Sequence, residues 1–120
     1  MNTYKAPIKD MKFVMFDLLQ AEQTYQQLGF DNTDREILDA VLEEAAKFTE
    51  QVLSPLNSTG DQQGCHFDKD SGKVSTPDGF KQAFQQYVDA GWSGLTASEA
   101  LGGQNMPESL SCIFKEMIDA

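Results

Sequence analysis

Between residues 33 and 55 the chain carries one unbroken apolar stripe that only a long helix can gather on one side. Ile37, Leu38, Val41, Leu42, Ala45, Phe48, Val52 and Leu53 recur at three- and four-residue spacings. Asp39, Glu43, Glu44, Lys47 and Glu50 fall on the opposite face. Thr33 and Glu36 have the spacing of a capping box, in which each side chain satisfies one free amide at the helix start. Pro55 is expected to end the helix, because a proline inside it would remove a hydrogen bond and clash with the preceding turn. A two-sided helix of this length needs other helices or a sheet to lie on, and the remaining sequence offers helices.

Residues 1–10 read as an arm, with Pro7 keeping Ala6 extended. Asp10 is expected to cap a first helix whose inner face is Met11, Val14, Met15, Leu18 and Leu19. Phe13 and Phe16 add apolar surface elsewhere, so this helix asks for burial on several sides. A weaker helical stretch from Ala21 to Leu28 stops at Gly29. From Ser58 to Thr76 the periodicity disappears, and a loop or small hairpin turning at Asp70, Ser71 and Gly72 is expected. Thr76 and Pro77 then read as the cap and first position of a helix burying Phe80, Ala83, Phe84, Tyr87 and Val88, with Gly91 as its stop. Trp92 to Asn105 is a second irregular connection, in which Asn105 is placed to cap the last helix or its entry turn. Pro107 and Glu108 open that last helix, with Leu110, Ile113, Phe114, Met117 and Ile118 on one face. The face runs on toward Ala120 without a glycine, basic residue or cap, so a helix interrupted by the end of the chain is expected; a helix that simply ends the protein is the alternative. The fold class is all-α: one domain over residues 1–120, four to five helices with two irregular loops.

The chemistry-bearing residues are few. The 19 acidic and 9 basic residues give a net charge of −10, which repels phosphate backbones and disfavours nucleic acid as a partner. His66 is the single histidine and adjoins Cys65, but neighbouring residues cannot readily share one metal, and no further histidine or paired cysteine spacing supports them. Cys65 and Cys112 form no disulfide framework. Asp68, Asp70 and Gly72 resemble the opening of a calcium loop, yet Lys73 and Gly79 stand where its glycine and last acidic ligand belong. No stretch approaches the roughly 18 apolar residues of a membrane span, and no signal peptide is apparent, so a cytoplasmic setting is expected. No metal site and no catalytic residue are expected within the 120 residues.

Several short stretches together resemble the start of the acyl-CoA dehydrogenases. Tyr4, Ala6-Pro7, Asp10 and Phe13 are similar to the amino-terminal extension of longer bacterial members, placing that extension at residues 1–20. Leu42 to Phe48, Val52 to Asn57 with Gly60-Asp61, and Thr76 to Phe80 look like the family's first helices and their junctions. Gly91 to Leu95, Gly102-Gly103-Gln104 through Pro107, and Glu116-Met117 resemble the next loop and helix of the family. The resemblance covers nearly the whole chain through order and spacing. It departs from the pattern at Ser98, Leu101 and Asn105, where proline, an aromatic and a third glycine are common.

That resemblance implies the amino-terminal helical domain of an FAD-dependent enzyme that removes hydrogen from the α and β carbons of acyl-CoA. It implies that the flavin site and the catalytic carboxylate lie outside these residues, so that the chain alone binds no FAD and is inactive. It also implies the remaining domains of the same enzyme and an acyl-CoA substrate as partners, with the electron-transfer partner left open, and a homo-oligomer when intact. Leu101, Gly102, Gly103, Met106 and Leu110 are the residues expected near the acyl-pocket wall; ordinary packing is the competing reading for Leu101, Met106 and Leu110. The apolar surplus on the first and last helices is expected to remain exposed as a docking patch. A free-standing helical adaptor using those faces is the rival function, and a small metal or redox protein using Cys65 and His66 a distant third.

Overall fold

A computed structural model describes residues 3–120. Its helices are α1 (Ile8–Lys12), α2 (Ala21–Gln27), α3 (Arg35–Phe48), α4 (Ser54–Gln63), α5 (Phe80–Asp89) and α6 (Glu108–Asp119). The all-α expectation holds, with one two-residue hairpin between α4 and α5. Met1 and Asn2, the start of the expected extension, lie outside the described residues.

The core forms where α3 crosses α6. Leu38, Leu42, Ala45, Ala46 and Phe48 from α3 meet Leu110, Phe114 and Met117 from α6 in one buried cluster. Trp92 lies against Phe114 with ring centroids 4.4 Å apart, and Phe48 and Tyr87 complete the aromatic group. Tyr25 of α2 is buried beside this cluster and shares a hydrogen bond with Ser109 at the start of α6. Lys12 reaches from α1 to Glu43 at 2.6 Å and Asp39 at 3.4 Å, tying α1 to the polar side of α3.

The start of α3 is capped one residue later than the sequence suggests. Asp34, not Thr33, accepts the Ile37 amide at 3.0 Å, and Glu22 from α2 accepts the Arg35 amide at 3.2 Å. Thr33 is buried instead, its hydroxyl donating to the Phe30 carbonyl at 3.3 Å. An aspartate serves this position as well as a threonine, so tertiary packing of Thr33 decides the register.

Pro55 does not end the helical path. After α3 the chain widens into a π-turn over Thr49–Leu53 and continues as α4, with Pro55 in that helix's first turn. A π-turn shifts the hydrogen bonds to residues five apart, which accommodates the amide that proline lacks. Thr49 is fully buried, and its hydroxyl lies 3.0 Å from both the Ala45 and Ala46 carbonyl oxygens. The stretch expected to be a loop from Ser58 is therefore helical up to Gln63. Beyond it the hairpin stands as anticipated: His66 pairs with Ser75 and Phe67 with Val74, turning through Asp68 to Gly72.

A second π-turn, Phe13–Leu18, rotates the first helical segment. It brings Phe16 inward beside Met11 and Met15, under the Arg35 guanidinium 4.0 Å from the Phe16 ring centre. Val14, Leu18 and Leu19, expected inside, face outward. Asp10 sits within the first turn of α1 and caps nothing. The helix expected from Thr76 likewise starts later, at Phe80, because Gly79 adopts a left-handed conformation with φ +85° that a right-handed helix cannot include. Of its five expected core residues only Ala83 is buried; Tyr87 is half-covered, and Phe84 remains 66% exposed.

The chain is a slab measuring 56 × 37 × 16 Å. Its radius of gyration is 17.0 Å, where a compact domain of this length has roughly 14 Å. Its accessible surface is 8304 Å², against about 6,500 Å² for a folded monomer of this mass.

The arm before α1 is fastened to the π-turn region. Tyr4 N–H donates to Ser54 Oγ at 3.1 Å, Ala6 N–H to Glu50 Oε1 at 2.9 Å, and Lys5 Nζ to Glu50 Oε2 at 3.1 Å. The Ala6 amide, then the Lys5 ammonium, hold the Glu50 carboxyl below its ordinary value of 4.5. A lowered carboxyl contributes attachment that is complete above its unfolded value and fades as pH falls through the folded one.

Two outcomes are expected. Replacing Thr49 by valine leaves two buried carbonyls without their hydroxyl and lowers stability by about 1–2 kcal/mol in urea titration, while T49S retains most of it. The protection of the Ala6 amide, taken as its exchange rate relative to the intrinsic rate at the same pH, should hold at neutral pH and fall as the solution is acidified below the ordinary glutamate range; in E50Q that protection should no longer vary across this range.

Candidate functional site

Two features are built with enough definition to serve a function: the glycine-bearing connection between α5 and α6, and an apolar groove on the α5 side of the slab.

The connection is a folded loop. Trp92–Gly94 and Glu99–Leu101 each form a 3-10 turn. Four amides of the returning strand close it: Gly103 donates to the Ser98 carbonyl at 2.9 Å, Gln104 to Gly94 at 2.9 Å, Asn105 to Ala97 at 2.8 Å, and Met106 to Leu95 at 2.9 Å. The Gln104 side chain adds a bond to the Gly91 carbonyl at 2.9 Å. Leu95 and Pro107 are buried and root the two ends. The crossing is close enough that a Cβ on Gly103 would stand 2.1 Å from the Ala97 carbonyl oxygen. Gly102 turns with φ +80°, the left-handed conformation that favours glycine. Both glycines thus have a backbone reason that composition alone does not disclose.

The five residues singled out from sequence are distributed along this loop and its exit. Leu101 stands at the tip, 83% exposed, immediately before Gly102 and Gly103. Met106 is half-buried against the core at the base. Leu110 is 1% exposed, within the core of α6. Asn105 adopts a left-handed conformation and makes no cap to α6, which begins after Pro107 without a side-chain cap. The loop therefore presents one bare leucine on a rigid, hydrogen-bonded base.

The groove holds about 700 Å³. Tyr4 of the arm and Leu56 of α4 form one side, Phe80, Phe84 and Tyr87 of α5 the other, and Met117 and Ile118 of α6 the end. Phe84 and Tyr87 stack at 6.3 Å, and Tyr87 stacks on Phe114 at the same distance. Burial, then the charges of Glu116 and Glu50, push the Tyr4 hydroxyl above its ordinary value, so it stays neutral. Asp119 is the one charged side chain of the lining, which mixes apolar residues with the polar Thr3, Thr49, Ser54 and Asn57. A shallower hollow of about 500 Å³ lies between Val41, Phe48, Val52 and Trp92, with Gln104 at its edge. None of Leu101, Gly102, Gly103, Met106 and Leu110 lines either space. The groove is not evident from the sequence, because Phe80 and Phe84 carry the same helical spacing whether they are buried or bare.

Neither space fits a flavin dinucleotide on the described residues. The groove has no cation for a pyrophosphate, and the hollow has only Lys47, already paired with Glu44 at 2.6 Å. Cys65 and His66 sit exposed at the hairpin, and Cys112 is exposed on α6. Among the described residues, no three histidine, cysteine or acidic side chains come together as metal ligands. Asp68, part of the calcium-like stretch, accepts the Asp70 amide at 2.9 Å and the Ser71 amide at 3.4 Å, and these bonds lower its carboxyl below the ordinary range. It works as a turn residue. No helix of the described residues is long and apolar enough to cross a membrane.

No family model matches the chain. Over 98% of its length it is 32% identical to 3-methylmercaptopropionyl-CoA dehydrogenase of Ruegeria pomeroyi. Over 98% of its length it is also 26% identical to the broad-specificity linear acyl-CoA dehydrogenase FadE5 of Mycobacterium tuberculosis. The chain spans about one fifth of the length of these relatives, 20% and 19% respectively.

The loop geometry yields one expectation. G103A cannot be accommodated without moving the Ala97 backbone, so the amides of Gln104, Asn105 and Met106 should exchange at least tenfold faster, with about 2 kcal/mol or more lost from global stability. Unchanged protection at those three amides would show that the crossing is looser than the contact implies.

Proposed function

Because its homologues are acyl-CoA dehydrogenases, matched over 98% of this chain and about a fifth of their own length, we propose that the chain is the amino-terminal helical domain of a flavin-dependent acyl-CoA dehydrogenase. The activity assigned to the intact protein is α,β-dehydrogenation of an acyl-CoA thioester. In that enzyme FAD supplies the hydride acceptor, and the flavin site and the base that removes the α-proton belong to residues outside 1–120. The observation that carries the reading is the end-to-end match, loops included, to two enzymes of this one kind. The slab's excess surface supports it: a domain with about 1,800 Å² more surface than a compact monomer suits one layer of a larger body. The other domains of the enzyme are the partners proposed for that surface. A homo-oligomer and a cytoplasmic location go with the same reading.

Within it, this chain's own contribution is positional. The hydrogen-bonded loop of residues 94–106 is rigid and ends in a bare leucine, as suits one edge of an apolar acyl pocket completed by other domains. Gly102 and Gly103 let the loop turn back on itself, Met106 and Leu110 anchor it, and Leu101 meets the substrate. A rigid base matters because a wall that moved would lose the apolar contact that distinguishes one acyl chain from another.

The test is the full-length gene product. It should purify with FAD and reduce an artificial electron acceptor only when acyl-CoA is present, whereas residues 1–120 alone should do neither. A colourless full-length protein, or one indifferent to acyl-CoA, would reject the assignment; a reading frame ending at Ala120 would favour the adaptor reading instead. In the active enzyme L101D should raise KM for acyl-CoA about tenfold with a smaller change in kcat. An unchanged KM would remove Leu101 from the pocket.

A further inference from the structure

We propose that Gln104 is a positioning residue for acyl-chain selection: its side-chain amide pins the loop of residues 94–106 to the end of α5 and so fixes where Leu101 stands. The inference rests on reading Leu101 as an edge of the acyl pocket, and it adds the residue that holds that edge in place.

The loop's own hydrogen bonds do not fix it to the rest of the fold. The amides of Gly103, Gln104, Asn105 and Met106 all donate to carbonyls within residues 94–98. They join the two sides of the loop to each other and make it one unit. Its apolar roots, Leu95, Met106 and Pro107, lie together at the base, where the Met106 amide meets the Leu95 carbonyl. A unit rooted in one place can rock about it. On the entering side Trp92 lies on Phe114 and resists this. On the returning side no residue from 102 to 105 is buried. There Gln104 supplies the missing attachment: its Nε2 donates to the Gly91 carbonyl at 2.9 Å, outside the loop unit and just past the end of α5.

The receiving end is shaped for that amide. Gly91 turns with φ +83°, and a Cβ there would stand 2.5 Å from Gln104 Nε2 and 3.6 Å from its Cδ. Glycine is required at this position both for the turn and for the approach. Gln104 follows Gly103, which is closed against Ala97, and Gly103 follows the turn at Gly102 that carries Leu101. A shift at residue 104 therefore reaches the tip through a stretch with no slack. The bond forms at the surface, beside Trp92 at the edge of the shallower hollow, where water competes for both partners. Such a bond contributes little to net stability but is directional, so its effect falls on where the loop points. Glutamate has the same shape as glutamine and no N–H to give at neutral pH, which separates the bond from the bulk of the side chain. Acyl chains that differ by methylene groups are told apart by apolar contact alone, and that contact depends on the placement of the wall.

The experiment uses the full-length gene product and a series of straight-chain acyl-CoAs from butyryl-CoA upward. The ratio of kcat/KM between the preferred acyl-CoA and its next longer even-chain neighbour is measured for the unaltered enzyme, Q104A and Q104E. That ratio does not depend on how much of the enzyme is folded. It should fall about fivefold in both variants, with KM for the preferred substrate rising by more than kcat falls. Q85A removes a comparable surface amide bond, to Asp89 on α5, and should leave the ratio unchanged. In an L101A background, where the wall is already cut back, Q104A should change the ratio no further. An unchanged ratio in Q104E, an equal loss on every acyl-CoA, an effect that simply adds to that of L101A, or the same shift in Q85A would each overturn the proposal. Loss of flavin from Q104A and Q104E would overturn it too, by making Gln104 a residue of folding. An unaltered protein that carries no flavin or oxidises no acyl-CoA instead defeats the reading beneath it.

Discussion

The contact between α3 and α6 governs everything else in this chain. Leu38, Leu42, Ala45 and Phe48 on one helix and Leu110, Phe114 and Met117 on the other are the centre of the buried cluster. Hydrophobic burial is roughly proportional to area, so these side chains contribute directly to the driving force for folding. The remaining elements are placed relative to it. Lys12 fastens α1 to the outer side of α3, Tyr25 and Ser109 join α2 to α6, and Trp92 lays the α5–α6 loop on Phe114. Loosening the crossing would release the loop and the groove together.

The same crossing explains why the chain exposes so much apolar surface. Two helices make one layer, and α5 packs on that layer only through Ala83 and the edge of Tyr87. Its outer face, and the outer face of the Phe13–Leu18 turn, have nothing further to rest on within residues 3–120. Scattered exposed leucines are ordinary, but Phe80, Phe84 and Val88 on one helix together with Phe13, Val14 and Leu18 on another are contiguous faces. All but Phe13 are side chains that periodicity marks as core.

What could be read from the sequence divides along that line. The extent of α2, the apolar side of α3 from Leu38 to Phe48, the hairpin turn at Asp70 to Gly72, and α6 opening at Pro107 are all legible, because local spacing and turn chemistry specify them. Phe80 and Phe84 are assigned to a buried face correctly as to helix side and incorrectly as to burial, since spacing reports which residues share a face and not whether that face is covered. Both π-turns are invisible: nothing in Thr49–Leu53 or Phe13–Leu18 distinguishes five-residue from four-residue hydrogen bonding. Pro55 gives a false stop for that reason. The capping shift from Thr33 to Asp34 comes from two adjacent residues of equal competence. For the loop, two glycines signal only freedom; the close approach to Ala97 supplies their reason.

The π-turn before Pro55 links these local surprises to the surface that matters. Had α3 stopped at Pro55, its last turn would point away and α4 would not exist as a wall. By widening at Thr49–Leu53 the helical path carries on through Ser54 and Leu56, and it brings Glu50 and Ser54 to the side where the arm can reach them. The arm is then held by three polar bonds and by Tyr4 and Ala6, which pack against the core. An edge fixed in this way stays against Glu50 and Ser54 and bounds the groove. The helical path that continues past Pro55, with Leu56 on the groove, is what gives the groove its α4 wall.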